Sequence, residues 1–144
     1  MTDVSAATPK DGTELVRAFL PSSPFVAQLG LRLSSIADGE AELELPYRPE
    51  LATVGDMVHG GAIAAAIDVA AMAAAWAGAP LPEKLRGATV SLSVDFVDAA
   101  LGEDLHVRGT LVRRGRSLAS CEVTVCAGTE RRTVAKALVT YKMG

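Results

Sequence analysis

The stretch VHGGAIAAAIDVAAMAAAWAGAP runs from Val58 to Pro80 and places one acid, Asp68, among residues that are otherwise small or apolar. It reads as a single long helix, with Gly78 and then Pro80 as its stop signal. On a wheel of about 100° per residue, the Asp68 face carries Gly61, Ala64, Ala65, Ala71, Met72 and Ala75. The opposite face carries Ile63, Ile67, Ala70 and Ala74. Neither face is polar, and a helix that is apolar all round is buried all round. One side can lie on the chain's own sheet. A chain of 144 residues with one sheet has little left to cover the other side, so a second subunit is the economical cover. A carboxylate buried without a partner is expensive. Asp68 is therefore either paired with a buried base or kept for chemistry, and the helix carries no Lys or Arg to pair with it.

His59-Gly60-Gly61 stands where this helix begins. The first backbone N–H groups of a helix lack intrahelical acceptors and carry partial positive charge. Glycine lets a ligand come close to that backbone. Gly60 and Gly61 thus mark a place to bind an anion or polarise a carbonyl oxygen. His59 either orients that site or bonds a nearby backbone group. His59 and Asp68 are nine residues apart, roughly 13 Å of helical rise. The donor end and the acid cannot easily serve one reacting centre within one chain. In an antiparallel pair of such helices, the N-terminus of one meets Asp68 of the other. The spacing predicts a composite site at a dimer interface.

The rest of the chain sets bounds. Its length fits one domain with a sizeable core. Apolar residues make up 49% and aromatic residues 4%, so Ala, Val and Leu must build that core. The net charge of −3, with acids and bases interspersed, leaves no footprint for nucleic acid or for an anionic membrane surface. The Val58–Leu81 run is long enough to be weighed as a membrane span, but weakly lipophilic Ala and the central Asp68 speak against it. MTDVSAATPKDGTEL has no apolar core, so no signal peptide is expected. Cys121 and Cys126 lie five apart in a strand-like run, on opposite sheet faces. They should not pair, which fits a reducing cytoplasm.

Residues 1–12 read as a flexible tail and 13–144 as one domain. Thr13–Leu20 reads as a short helix stopped by Pro21. Ser23-Pro24 starts another turn of helix. Leu31–Ile36 is a first strand, and Glu40–Tyr47 alternates like a strand with one wet face. Arg48–Val58 reads as a loop before the long helix. Thr89–Val97, Asp104–Arg113, Ser117–Cys126 and Arg132–Tyr141 are further strands, punctuated by glycines. Antiparallel strands with one dominant helix give an α+β class. No G-x-S-x-G elbow or phosphate-binding glycine motif is present. His59 and His106 without clustered partners speak against a metal site. Met72 and Trp76 can line a tunnel or pack the core.

These residues resemble a known family. The sequence is similar to the hotdog-fold acyl-CoA thioesterases of the phenylacetate-pathway (PaaI-type) group, from SPFVAQLGLRL to the last strand. The most specific match is HGGAIAAAIDVAAMAAA, an H-G-G with an acid nine positions after the His. The resemblance implies an antiparallel sheet wrapped around the central helix and a homodimer, with a homotetramer left open. It implies a small-molecule acyl-CoA substrate and no separate cofactor, since CoA is part of the substrate. The Gly60 N–H would polarise the thioester carbonyl and His59 would position that end of the site. Asp68 of the partner subunit would be base or nucleophile, and Thr89 would orient water or the acid. In the family, basic residues at the tip Arg113-Arg114-Gly115-Arg116 meet CoA phosphates, although the tip also reads as a solvated turn. One departure stands out: an Asn six or seven residues before the His is replaced by Ala52 and Thr53, where Thr53 offers a hydroxyl. A hotdog hydratase or dehydratase, or a non-enzymatic acyl-CoA-binding module, would share the fold.

Overall fold

The computed structural model describes residues 7–144. The central helix α3 covers Gly60–Trp76. Ile63, Ile67, Ala70 and Ala74 are buried on its sheet side, where they meet Leu43, Leu45, Val107, Val123 and Val125 of one hydrophobic core. Six strands build the sheet around it. They are β1 (Arg32–Ala37), β2 (Glu40–Leu45), β5 (Gly87–Phe96), β6 (Leu105–Arg114), β7 (Leu118–Ala127) and β8 (Arg132–Met143). Their order is β1-β2-β6-β7-β8-β5, and every neighbouring pair is antiparallel. This is the α+β hotdog architecture that the sequence predicts.

Two short helices, α1 (Gly12–Phe19) and α2 (Pro24–Leu29), precede the sheet. Asp11 caps α1 by accepting the Glu14 N–H, and Glu14 in return accepts the Lys10 N–H at 2.8 Å. That reciprocal capping, with the Gly12 N–H bonded to the Ala79 carbonyl at 2.8 Å, fixes the chain from residue 10 onward. Residues 10–12 of the expected tail take part in this capped start of α1. Residues 1–6 of that tail lie outside the described residues.

The segment read as a loop, Arg48–Val58, also carries structure. A 3₁₀ turn at Pro49–Leu51 leads into a small hairpin of β3 (Ala52–Val54) and β4 (Met57–Val58). Gly55 turns it in the left-handed region, at φ +56°. The hairpin delivers the chain to α3, where the His59 N–H donates to the Leu51 carbonyl at 2.7 Å.

The far end of α3 is closed by an arginine. Arg114 donates to the Ala75 carbonyl from Nε (3.2 Å) and Nη2 (2.9 Å), and to the Ala77 carbonyl from Nη2 (2.9 Å). A cation at a helix C-terminus satisfies orphan carbonyls and complements the dipole. Gly78, at φ +77°, then turns the chain away. Cys121 is buried and Cys126 half-buried, on opposite faces of β7, and both are free thiols. Among the described residues no helix is long and apolar enough to cross a membrane.

Candidate active site

Asp68 sits half-buried at the middle of α3 and accepts a hydrogen bond from the Thr89 hydroxyl of β5. An irregularity in β5 makes this possible. Thr89 pairs with Tyr141 and Leu92 pairs with Val139, so three steps of β5 match two steps of β8. Ordinary alternation would set Thr89 on the face opposite Leu92, Val94 and Phe96. The β-bulge between Thr89 and Ser91 adds one residue and turns Thr89 inward, over Asp68.

The Asp68–Thr89 pair opens into a cavity of about 440 Å³ between α3, β5 and the two N-terminal helices. Met72 and Trp76 continue its wall along α3, while Phe19, Phe25 and Val26 roof it. Trp76 is both core and lining, since it is 3% exposed. At the inner end the Trp76 indole N–H donates to the Tyr141 hydroxyl at 3.3 Å. Burial is the main cause that pushes the Tyr141 phenol up from its ordinary value. A carboxylate at the mouth of an apolar cavity is the arrangement of a ligand site.

The start of α3 lies at the other end of the helix and lines none of this cavity. His59 is the N-cap, and its Nδ1 accepts the Gly61 N–H at 2.7 Å. The accepting lone pair places the ring hydrogen on Nε2. A Cβ on Gly61 would come within 2.9 Å of His59 Nδ1, so the glycine is what lets the imidazole fold back. The Gly60 N–H has no acceptor among the described residues. The Phe96 ring lies beside it, at 3.5 Å from where a Gly60 Cβ would stand.

One stripe of α3 remains uncovered. Gly61 is exposed, and Ala64, Ala65, Asp68 and Met72 are half-buried. The neighbouring edge strand β5 bonds only to β8, and its inward residues Leu92, Val94 and Phe96 are exposed or half-buried.

The other predicted residues fall elsewhere. Thr53 is exposed on β3, away from the cavity. Gly115 makes the β6–β7 turn, donating its N–H to the Leu118 carbonyl at 2.7 Å. Arg113 and Arg116 are exposed beside it, whereas the Arg114 guanidinium is engaged with the end of α3. Of the residues grouped as phosphate contacts, Arg114 is the one whose hydrogen bonds are those of a helix cap. Sequence reasoning missed Tyr141, the Phe19–Phe25 roof and the Val90 bulge. Tyr141 had a signal, an aromatic hydroxyl on the buried parity of the last strand. Among the described residues no group of three or more His, Cys, Asp or Glu side chains is placed to hold a metal ion.

A one-helix core inside an antiparallel sheet, with an acid at mid-helix and an open helix N-terminus, defines a hotdog-fold protein of thioesterase type. The sequence model of the thioesterase superfamily matches residues 55–134, and the chain belongs to that family. A Halobacterium salinarum protein bearing the name of an esterase is 30% identical over 118 residues, 80% of this chain and 78% of that protein. A thioesterase family protein from Silicibacter pomeroyi superposes with TM-score 0.84 at 28% identity, covering 92% of this chain and 97% of the other. A mutant of the phenylacetic acid degradation protein PaaI from Thermus thermophilus superposes with TM-score 0.72 at 26% identity, covering 83% and 98%.

Proposed function

We propose that the protein hydrolyses an acyl-CoA or aroyl-CoA thioester to the free acid and CoA, at sites shared between two antiparallel copies of the chain. The observation that carries this reading is the placement of an acid and an unpaired donor on one helix, the donor at its N-terminus and the acid at its middle. Asp68 opens on an apolar cavity, and the Gly60 N–H stands about 12 Å away along the same helix. The uncovered stripe of α3 and the bare edge of β5 are where a second copy would lie. It would bring the partner subunit's Gly60 to Asp68.

In this reading the acyl group enters the cavity and the partner subunit's Gly60 N–H donates to the thioester oxygen. Thr89 holds one carboxylate oxygen of Asp68. The other takes a proton from water as the water oxygen attacks the carbonyl carbon, or itself attacks that carbon. Negative charge collects on the carbonyl oxygen, where a preorganised donor is most effective. Collapse breaks the carbon–sulfur bond and the CoA thiolate leaves, taking up the proton that Asp68 drew from water; where Asp68 itself attacks, the thiolate leaves an acyl–Asp68 anhydride, which a water molecule then hydrolyses to the free acid, restoring the carboxylate and supplying the thiolate's proton. Arg113 and Arg116 are the cations available to CoA phosphates at the hairpin tip. No cofactor beyond the substrate's own CoA enters, and the free thiols fit a cytoplasmic setting.

The test is thiol release from short, medium, long and aryl acyl-CoAs by wild type and Asp68→Ala. Release that vanishes in the variant supports the reading. Hydration of a crotonyl-type thioester without thiol release would select the lyase alternative, and binding with no turnover would select a sensor.

A further inference from the structure

The cavity beside Asp68 has a polar inner end that the hydrolytic reading does not use. Tyr141 is 7% exposed, and its oxygen accepts the Trp76 indole N–H at 3.3 Å. Its own O–H proton has no acceptor among the described residues. A phenol both donates and accepts, and a buried donor left unpaired is costly. Gly87 shapes this end: a Cβ there would collide with the Tyr141 hydroxyl, so the ring reaches the β5 backbone only because residue 87 is glycine. The other polar side chains of the lining are the Asp68–Thr89 pair, the half-buried Ser23 and the exposed Arg86.

We infer that Tyr141 is a specificity-determining residue. Its hydroxyl donates to an oxygen at the far end of the bound acyl group, so the cavity selects acyl chains with a terminal hydroxyl or carbonyl over plain ones. This rests on the reading that the cavity takes the acyl group. The wall from residue 68 to residue 76 rises ~12 Å along α3. Tyr141 stands on β8 opposite Thr89 and its hydroxyl reaches Gly87, two residues along β5, so the phenol oxygen lies within that span. Trp76 fixes the phenol oxygen from one side, which leaves the proton directed to the remaining open side, the cavity.

Trp76 is the only tryptophan and lines the cavity, so its fluorescence reports occupancy without turnover. The probes are S-octyl-CoA and S-(ω-hydroxyoctyl)-CoA, thioethers that cannot be hydrolysed. Wild type should bind the hydroxylated probe about fivefold to tenfold more tightly, the worth of one neutral hydrogen bond. Tyr141→Phe should bring that ratio to about one. Equal affinities in wild type would overturn the assignment whether or not the variant folds. So would a ratio that survives in Tyr141→Phe, or the failure of both probes to perturb Trp76. Thiol release from octanoyl-CoA keeps the two readings apart. Hydrolysis without hydroxyl preference sinks only the Tyr141 assignment, and preference without hydrolysis sinks only the thioesterase reading.

Discussion

The Thr89 hydroxyl donates to the Asp68 carboxylate across the gap between β5 and α3. A hydrogen bond to a charged acceptor contributes on the order of 1.5–3 kcal/mol. If it holds the carboxylate in its working orientation, Thr89→Ala should lower kcat about tenfold to a hundredfold with a smaller change in KM. Thr89→Ser, which keeps the hydroxyl, should recover most of the rate. Equal steady-state parameters for wild type and Thr89→Ala would remove the orienting role.

Gly60→Pro isolates the backbone donor. Residue 60 is the first helical position, where proline is tolerated. His59 already has φ −63° and ψ 133°, the conformation that precedes proline. The variant should melt close to wild type yet lose about 10²–10³ in kcat, the usual effect of removing an oxyanion donor. An active, folded Gly60→Pro protein would show that another group polarises the carbonyl.

Mixing the two lesions tests the shared site. Asp68→Ala and Gly60→Pro homodimers should each be inactive. A mixed dimer places both lesions in one site and leaves the other intact. Co-refolding equal amounts should therefore restore activity, up to about one quarter of the wild-type level at random pairing if the intact site works independently. Activity that stays absent in a verified mixed dimer would contradict a site built from two chains.

Arg114→Ala should cost stability through the helix end. It removes the guanidinium that caps the Ala75 and Ala77 carbonyls, a loss of about 1–3 kcal/mol in urea unfolding. CoA affinity should follow Arg113 and Arg116 instead, and should weaken with salt. A destabilisation near zero would show that water replaces the cap.

Acid stability should depend on Arg132. Its guanidinium binds Asp98 at 2.8 Å and Glu103 at 3.0 Å. The Asp98 carboxyl is held below its ordinary 3.8 chiefly by the Ala99 N–H and then by Arg132. Glu103 is held below its ordinary 4.5 chiefly by Arg132. Folded values below unfolded ones mean that the unfolded chain binds more protons in acid. The stabilisation is complete above the ordinary values and is lost as pH falls through the lowered ones. Melting temperature followed from neutral pH into this range should fall less steeply for Arg132→Gln.

Much of this was readable beforehand. The apolar run around Asp68 fixed the central helix, and alternation located β2 and the later strands within a residue or two. The distance from Gly60 to Asp68 follows from helical rise alone. The cap that Arg114 makes on α3 is not legible in the sequence, because a basic hairpin tip looks alike whether its cations face water or a helix end; only the tertiary path of β6 decides. The hairpin before His59 was missed because its strands are two and three residues long, below any periodic signal. The cavity roof depends on where α1 and α2 dock, which local pattern does not encode.

The bulge at Val90 carries a consequence for how this strand tolerates change. A strand counts its residues in twos, and an extra residue reverses the parity. Before the bulge the inward positions are odd, Gly87 and Thr89; after it they are even, Leu92, Val94 and Phe96. A saturation scan along β5 should therefore show its pattern of permitted polar residues invert on crossing Val90. A single-residue deletion there should do more harm than any substitution at the same position. It would rotate the hydroxyl beside Asp68 out to the opposite face while leaving every side chain of the strand's second half in place.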